Sequence, residues 1–235
     1  MKVYWYGISE YHVISGLNFS EPSPSIERVK YYSPKERANN FAMCPSIKDA
    51  FHNVFDLSFP FDYKLSGFDK FPQIYTNDYT QDFFEKMVWI RNVEKKLMNL
   101  NIHYFFITEE DSCMIELMPP ALVDNDYVKK TMTLGGKFDV AKWPRPLNNS
   151  FVVKENVSEI KIQIGDVYSQ IRFPANEKIE FVKYRPTDEL LDIMKDYMRI
   201  QAFKHNFWNL NQYYDVFKKI KVKKYMIKKI KENVL

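Results

Sequence analysis

The sequence is poor in the residues from which phosphate loops, disulfide frameworks and metal centres are made. Its 235 residues include six glycines, two cysteines and four histidines. The glycines form neither a GxGxxG nor a GxxxxGK[ST] pattern, which argues against the nucleotide-triphosphate enzymes that need those backbone cradles. Cys44 and Cys113 cannot build a disulfide framework, and both are expected to be free, buried thiols. His12, His52, His103 and His205 show no His-x-His, His-x-Asp or His-x-x-x-His spacing. They read as structural or surface residues, and neither a metal nor a cofactor is expected. No Cys–His pair carries a local signature of a nucleophile. No apolar run reaches the roughly 18 residues of a membrane span. The opening MKVYWYGISE has no apolar core after its charge, so a secretory signal is not expected. The prediction is a cytosolic protein with no transmembrane segment.

Apolar residues and aromatics, by contrast, are plentiful, at 46% and 17%. That is ample for one large domain or two small ones. The net charge of +4 is mild but unevenly placed, because Lys218–Lys231 holds eight lysines and no acid.

Along the chain, Lys2–Ile8 predicts a strand inside a sheet, since both of its alternating sets are largely apolar. Ser20–Ser25 reads as a loop and Arg28–Tyr32 as a short strand before Pro34. Pro45–Phe55 predicts a helix, with Pro45 at its start and an apolar stripe through Ile47, Ala50, Phe51, Val54 and Phe55. Phe59–Leu65 turns into a short strand. Tyr79–Asn99 is ambiguous, and the reading adopted is strand around Met87–Ile90 with a helical turn after it. Ile102–Thr108 and Cys113–Leu117 form the clearest predicted hairpin, joined by Glu109-Glu110-Asp111-Ser112. Thr187, followed by Asp188 and Glu189, predicts a helix N-terminus. The resulting fold class is α+β: a mostly antiparallel β-rich domain over 1–185, with a short helix near 45–56, followed by a helical segment with a basic tail over 186–235.

The sharpest strand patterns lie in Gly135–Phe173. Ile160, Ile162 and Ile164 alternate with Lys161 and Gln163, and Gly165-Asp166 makes a turn. Val167–Phe173 follows, apolar on both faces and therefore expected between two layers. Phe151-Val152-Val153 is a further strand, and Gly135-Gly136 ends the run Thr131–Leu134. The segment Gly165-Asp166-Val167-Tyr168-Ser169-Gln170-Ile171-Arg172-Phe173 resembles the Gly-Asp-x-φ-x-Gln-φ-x-Phe strand of trimeric deoxyuridine triphosphatases and deoxycytidine triphosphate deaminases. Gly136-Lys137-Phe138-Asp139 is similar to the Gly-x-Ile-Asp element before it. The resemblance implies a β-clip-like strand arrangement, with Asp139 at the water-activating position. This sequence departs from the family where catalysis matters. Lys142 stands where an aromatic is expected, and Trp143 comes one place late. Pro119-Pro120-Ala121-Leu122 replaces the phosphate-binding Pro-Arg-Ser-Gly. No acid lies between Asp139 and Glu155, and no glycine follows Gly165. The activity is therefore not expected.

Most of 1–185 also resembles uncharacterised proteins of tailed, marine myovirus-type bacteriophages. The resemblance is carried by Cys44-Pro45-x-x-x-Asp49-x-Phe51, Phe59-Pro60-Phe61-Asp62, Tyr104-Phe105-Phe106, Pro119-Pro120 and Phe138-Asp139-x-x-Lys142-Trp143-x-Arg145-Pro146. It implies a location in the cytoplasm of the infected host, or in the virion.

Two candidate binding sets emerge. Asp139, Lys142, Trp143 and Arg145 cluster after the Gly-Gly turn, with Gln170 on the later strand. They read as a ligand-binding loop or, more plainly, as an Asp turn, a packed Trp and a surface Arg. Lys218, Lys219, Lys221, Lys223, Lys224, Lys228, Lys229 and Lys231 alternate with Phe217, Ile220, Val222, Tyr225, Met226, Ile227 and Ile230. They read as a polyanion-binding helix for nucleic acid or an anionic surface, or as a helix docked on its own domain. Two functions remain open. One is a non-enzymatic phage protein that binds a host or phage macromolecule. The other is a nucleotide-binding protein or enzyme of the deoxyuridine-triphosphatase-like superfamily.

Overall fold

The computed structural model describes residues 1–9, 19–34, 40–68, 73–75, 88–100, 102–143, 146–147, 149–204 and 222–235. The strands are β1 (Lys2–Ser9), β2 (Ser23–Pro24), β3 (Val54–Ser58), β4 (Tyr63–Ser66), β5 (Gln73–Tyr75), β6 (Val88–Asn92), β7 (Leu97–Leu100) and β8 (Ile102–Ile107). They continue with β9 (Met114–Met118), β10 (Thr131–Thr133), β11 (Gly136–Asp139), β12 (Asn149–Val153), β13 (Glu159–Ile162), β14 (Val167–Arg172) and β15 (Glu180–Lys183). Among the described residues five α-helices accompany them: α1 (Ile26–Tyr32), α2 (Pro45–Ala50), α3 (Asp126–Lys130), α4 (Asp188–Lys204) and α5 (Val222–Lys231). The fold is α+β and mainly antiparallel, as the alternation predicts.

The described strands lie in four sheets, in the orders β15-β1-β8, β10-β12-β7-β6, β11-β9-β14-β3-β2 and β13-β4-β5. All described ladders are antiparallel except β1 with β15. The sheet β15-β1-β8 is covered on both faces, which is why both alternating sets of β1 are apolar. Val3 and Trp5 enter the main β core beside Tyr104 and Phe106 of β8. Tyr4 points the other way, with Phe105 and Ile107, into a second core under the helices. Leu190 and Met194 of α4, and Met226 and Ile230 of α5, close that second core. Gly7 serves close packing: a Cβ there would lie 2.0 Å from Cγ of Phe19. The predicted start of α4 holds, since Thr187 Oγ1 accepts from the Leu190 N–H at 3.3 Å, with Asp188 and Glu189 in the first turn. β14 is buried on both faces, as its two-sided pattern predicts. Of the strand read around Met87–Ile90, Val88–Ile90 lies in β6 and Met87 lies outside the described residues; in place of the helical turn read after it, a turn at 93–96 leads into β7.

Several expectations need correction. Arg28–Tyr32 is helical, within α1. A seven-residue element that fully buries one side chain, Val29, leaves little periodicity in its sequence by which to choose between helix and strand. The helix predicted to Phe55 stops at Ala50. Asn53 takes φ +52°, and its amide donates to the carbonyls of Ala175 and Glu177, both at 2.8 Å. Val54 and Phe55 then enter β3, paired between β14 and β2. That sheet pairing outweighs the local helical stripe.

The predicted hairpin of 102–117 has both strands but not their pairing. β8 pairs with β1, while β9 pairs with β11 and β14 in another sheet. The connector carries the chain from sheet to sheet, and Thr108 Oγ1 donates to the Lys2 carbonyl at 3.0 Å. Gly165, at φ +86°, does make a turn, yet it too joins two sheets: β13 pairs with β4 and β14 with β3. Ile160 and Ile162 are buried, whereas Ile164 lies beyond the strand and is 61% exposed. β10 does stop at Thr133, just before Gly135-Gly136, and Gly136 then opens β11. Cys113 is buried as expected, but Cys44 is exposed.

Candidate binding surface on the C-terminal helix

α5 is organised by its apolar face. Met226, Ile227 and Ile230 are buried at i, i+1 and i+4 against the second core. Apolar docking therefore compensates for the mutual repulsion of the lysines. The chain after α5 adds a bridge between Tyr184 and Val234.

The lysines divide by position around this helix. Lys223 is 8% exposed; its stem is packed, and its ammonium donates to the Glu110 carbonyl. Lys231 pairs with Glu109 Oε2 at 2.8 Å. Glu109 Oε1 accepts from the Tyr4 hydroxyl at 2.9 Å. The hydrogen bonds from Lys231 and then Tyr4 hold the Glu109 carboxyl below the usual range. Burial first, and then the bond to Glu109, push the Tyr4 phenol up to about 12. Lys229 reaches Glu232 at 3.5 Å and lies over the Tyr225 ring. Lys224 and Lys228, one turn apart, are exposed and have no partner among the described residues. Together with Lys223, Lys231, Glu109 and Asp111 they line an open groove of about 650 Å³. Lys218, Lys219 and Lys221 lie outside the described residues.

The cluster after Gly136 is tied into the fold. Asp139 Oδ1 accepts from the backbone N–H of Cys113 at 2.9 Å and of Ala141 at 3.1 Å. Its Oδ2 accepts from Ser112 Oγ at 3.1 Å, with Lys142 Nζ at 3.9 Å. Trp143 stands edge-on to Phe138 with centroids 4.7 Å apart, and its indole N–H donates to the Pro146 carbonyl at 3.4 Å. Arg145 lies outside the described residues. Gln170 is elsewhere. Asp139 is opposite Met114 and Gln170 opposite Met118 on β9, four positions apart, or about 13 Å along the strand.

Gln170 belongs instead to a buried polar network that the sequence reading missed. Its Nε2 donates to Asp56 Oδ1 at 2.8 Å, and its Oε1 accepts from the Ala121 N–H at 2.9 Å. Asp56, 4% exposed, also accepts from Ser25 Oγ and from Arg28 Nη2, both at 2.6 Å. The available signal was a lone carboxylate within the apolar run Val54-Phe55-Asp56-Leu57, because a buried charge needs partners. Among the described residues, no group of three or more His, Cys, Asp or Glu is placed to hold a metal ion, and no helix is long and apolar enough to cross a membrane. No family model matches the chain, and no curated protein or solved structure matches it.

Proposed function

We propose that this chain is a non-enzymatic phage protein that acts by binding a macromolecule in the cytoplasm of the infected host, in host takeover or as a virion component. Its lysine-lined groove on α5 contacts a polyanion, taken here to be nucleic acid. The observation that carries this reading is the pair Lys224 and Lys228: exposed, one turn apart and without acidic partners among the described residues. They sit on a helix whose opposite face is fixed in the core. A charge pair held on a packed helix presents phosphates with a preformed surface. The phage context is supported by the sequence resemblance of Cys44–Phe51, Phe59–Asp62 and Phe138–Pro146.

Truncation is a poor test, because it would remove Met226 and Ile230 from the core. Charge reversal separates binding from folding. Labelled duplex DNA is titrated at low and physiological salt with the intact protein and with the Lys224→Glu, Lys228→Glu double variant. Every phosphate that the protein no longer neutralises lowers the log–log salt slope by about 0.9, so the variant should bind more weakly and with a flatter slope. Equal binding by both proteins, or none by the intact protein at low salt, would overturn the proposal.

A further inference from the structure

Among the described residues the outer edge of β15 is open at Phe181, beside a groove, and the chain already uses part of that edge for strand pairing. In a parallel ladder successive residues turn to opposite sides. Glu180 N–H donates to the Met1 carbonyl at 3.0 Å and Tyr184 N–H to the Trp5 carbonyl at 3.3 Å. Residues 180, 182 and 184 therefore face β1, and 181, 183 and 185 face outward. At the C-terminal end of this outer edge, the chain's own Asn233–Leu235 is laid antiparallel. Arg185 N–H donates to the Asn233 carbonyl at 2.9 Å, and Leu235 N–H to the Lys183 carbonyl at 3.0 Å. Further back along the strand, the N–H and C=O of Phe181 have no ladder partner among the described residues.

The groove of about 720 Å³ runs beside this open stretch. Lys178–Phe181 line it together with Pro22, Pro24, Phe51 and Phe55. The Phe181 ring meets Phe55 edge-on with centroids 4.8 Å apart, so the floor next to the open backbone groups is aromatic. Lys178–Phe181 spans about 10 Å of extended chain, room for three or four residues of an added strand.

We infer that this groove binds an extended segment of a partner polypeptide, which pairs with β15 at Phe181 and places an apolar side chain against Phe55 and Phe181. The mode is strand addition, in which backbone bonds supply affinity and alternate side chains supply selectivity. The occupant is a polypeptide because what the edge offers, among the described residues, is the unpaired N–H and C=O of Phe181, two residues from the Lys183 carbonyl that Leu235 already uses. It continues, along the same edge, the pairing already made by Asn233–Leu235. This site is separate from the lysine groove and does not depend on the polyanion reading.

The test uses the full chain and the peptide acetyl-Lys-Thr-Val-Thr-Val-Thr-Lys-amide, with a control N-methylated at alternate residues to remove its ladder donors. Amide hydrogen exchange is read residue by residue. Without peptide, the Phe181 amide should exchange faster than Val182 and Tyr184. With peptide, it should slow by about tenfold or more. The methylated control should have no effect. A Pro24→Trp variant, which fills the groove from an exposed lining position, should abolish the protection while its other amides exchange as before. The inference is overturned by a Phe181 amide already as protected as Val182, by no response at millimolar peptide, or by equal action of the methylated control. Protection that rises with protein concentration alone would assign the edge to a second copy of the chain and overturn it as well.

Discussion

Asp56 and Asp139 illustrate how a single carboxylate is accounted for in this molecule. The sequence points to Asp139 because it follows a Gly-Gly turn. The structure gives both of its oxygens hydrogen-bond donors, from Ala141 in its own turn and from Ser112 and Cys113 just before β9. Asp56 is marked in the sequence only by the apolar run around it, yet through Ser25, Arg28 and Gln170 it ties β3 to the start of α1 and to β14. Asp56→Ala should cost about 3 kcal/mol, because it strands buried donors and one guanidinium; urea unfolding with a change below 1 kcal/mol would refute this role. The cysteines should also separate. Burial, with Asp139 and Glu110 nearby, pushes the Cys113 thiol up to about 12, while backbone N–H groups of Ile47 and Ser46 lower that of exposed Cys44. One thiol per chain should therefore react quickly with a disulfide reagent in the native state, and Cys44→Ser should abolish that phase; a fast phase surviving in Cys44→Ser would count against the assignment. Glu109 carries a pH dependence. Its folded-state value is depressed, so its contribution is present above the ordinary carboxylate range and is lost as pH falls through the lowered value. Acid titration should loosen α5 before the β core, and Lys231→Met should flatten that early change, as followed by amide exchange in 222–231.

At the scale of elements, α5 is a core helix that happens to be rich in lysine. Met226→Ala should destabilise by about 2–4 kcal/mol, since it empties a fully buried site between β1, β8 and α4. The Lys224→Glu, Lys228→Glu pair should change stability by less than about 0.5 kcal/mol, as expected of exposed positions. Chemical denaturation of the two variants side by side checks the contrast, and a charge pair costing as much as Met226→Ala would show that the lysines are structural. The same element scale explains where local reading fails. A helical stripe from Ile47 to Phe55 is real in the sequence, but Asn53 reverses the chain and β14 and β2 claim Val54 and Phe55 as strand partners.

For the whole molecule, the decisive feature is that β15-β1-β8 has a core on each face. The β-rich part and the helical segment share that sheet: Tyr4, Phe105 and Tyr184 are buried beneath α4 and α5. Unfolding should therefore be a single cooperative transition, with far-ultraviolet circular dichroism and tryptophan fluorescence giving coincident curves. Helical signal lost ahead of fluorescence would show that 186–235 unfolds independently.

The residues by themselves determined the α+β class, most strand positions and the start of α4, because those depend on alternation, capping and turn chemistry within a few neighbours. Val3 and Trp5 against Tyr4 and Tyr6 already describe a strand covered on both sides, and Thr187 with Asp188 and Glu189 already describes a helix start. The tertiary structure alone decided which strands pair, since an alternating segment fits any edge of complementary pattern. Ile102–Ile107 found β1 rather than Met114–Met118, and Gly165 turned the chain from one sheet into another. It also decided the fate of polar side chains. Whether Lys223 or Lys224 faces solvent, and whether Asp139 or Asp56 is held in a network, depends on groups more than a hundred positions away in the case of Lys223 with Glu110 and of Gln170 with Asp56, which no local pattern encodes.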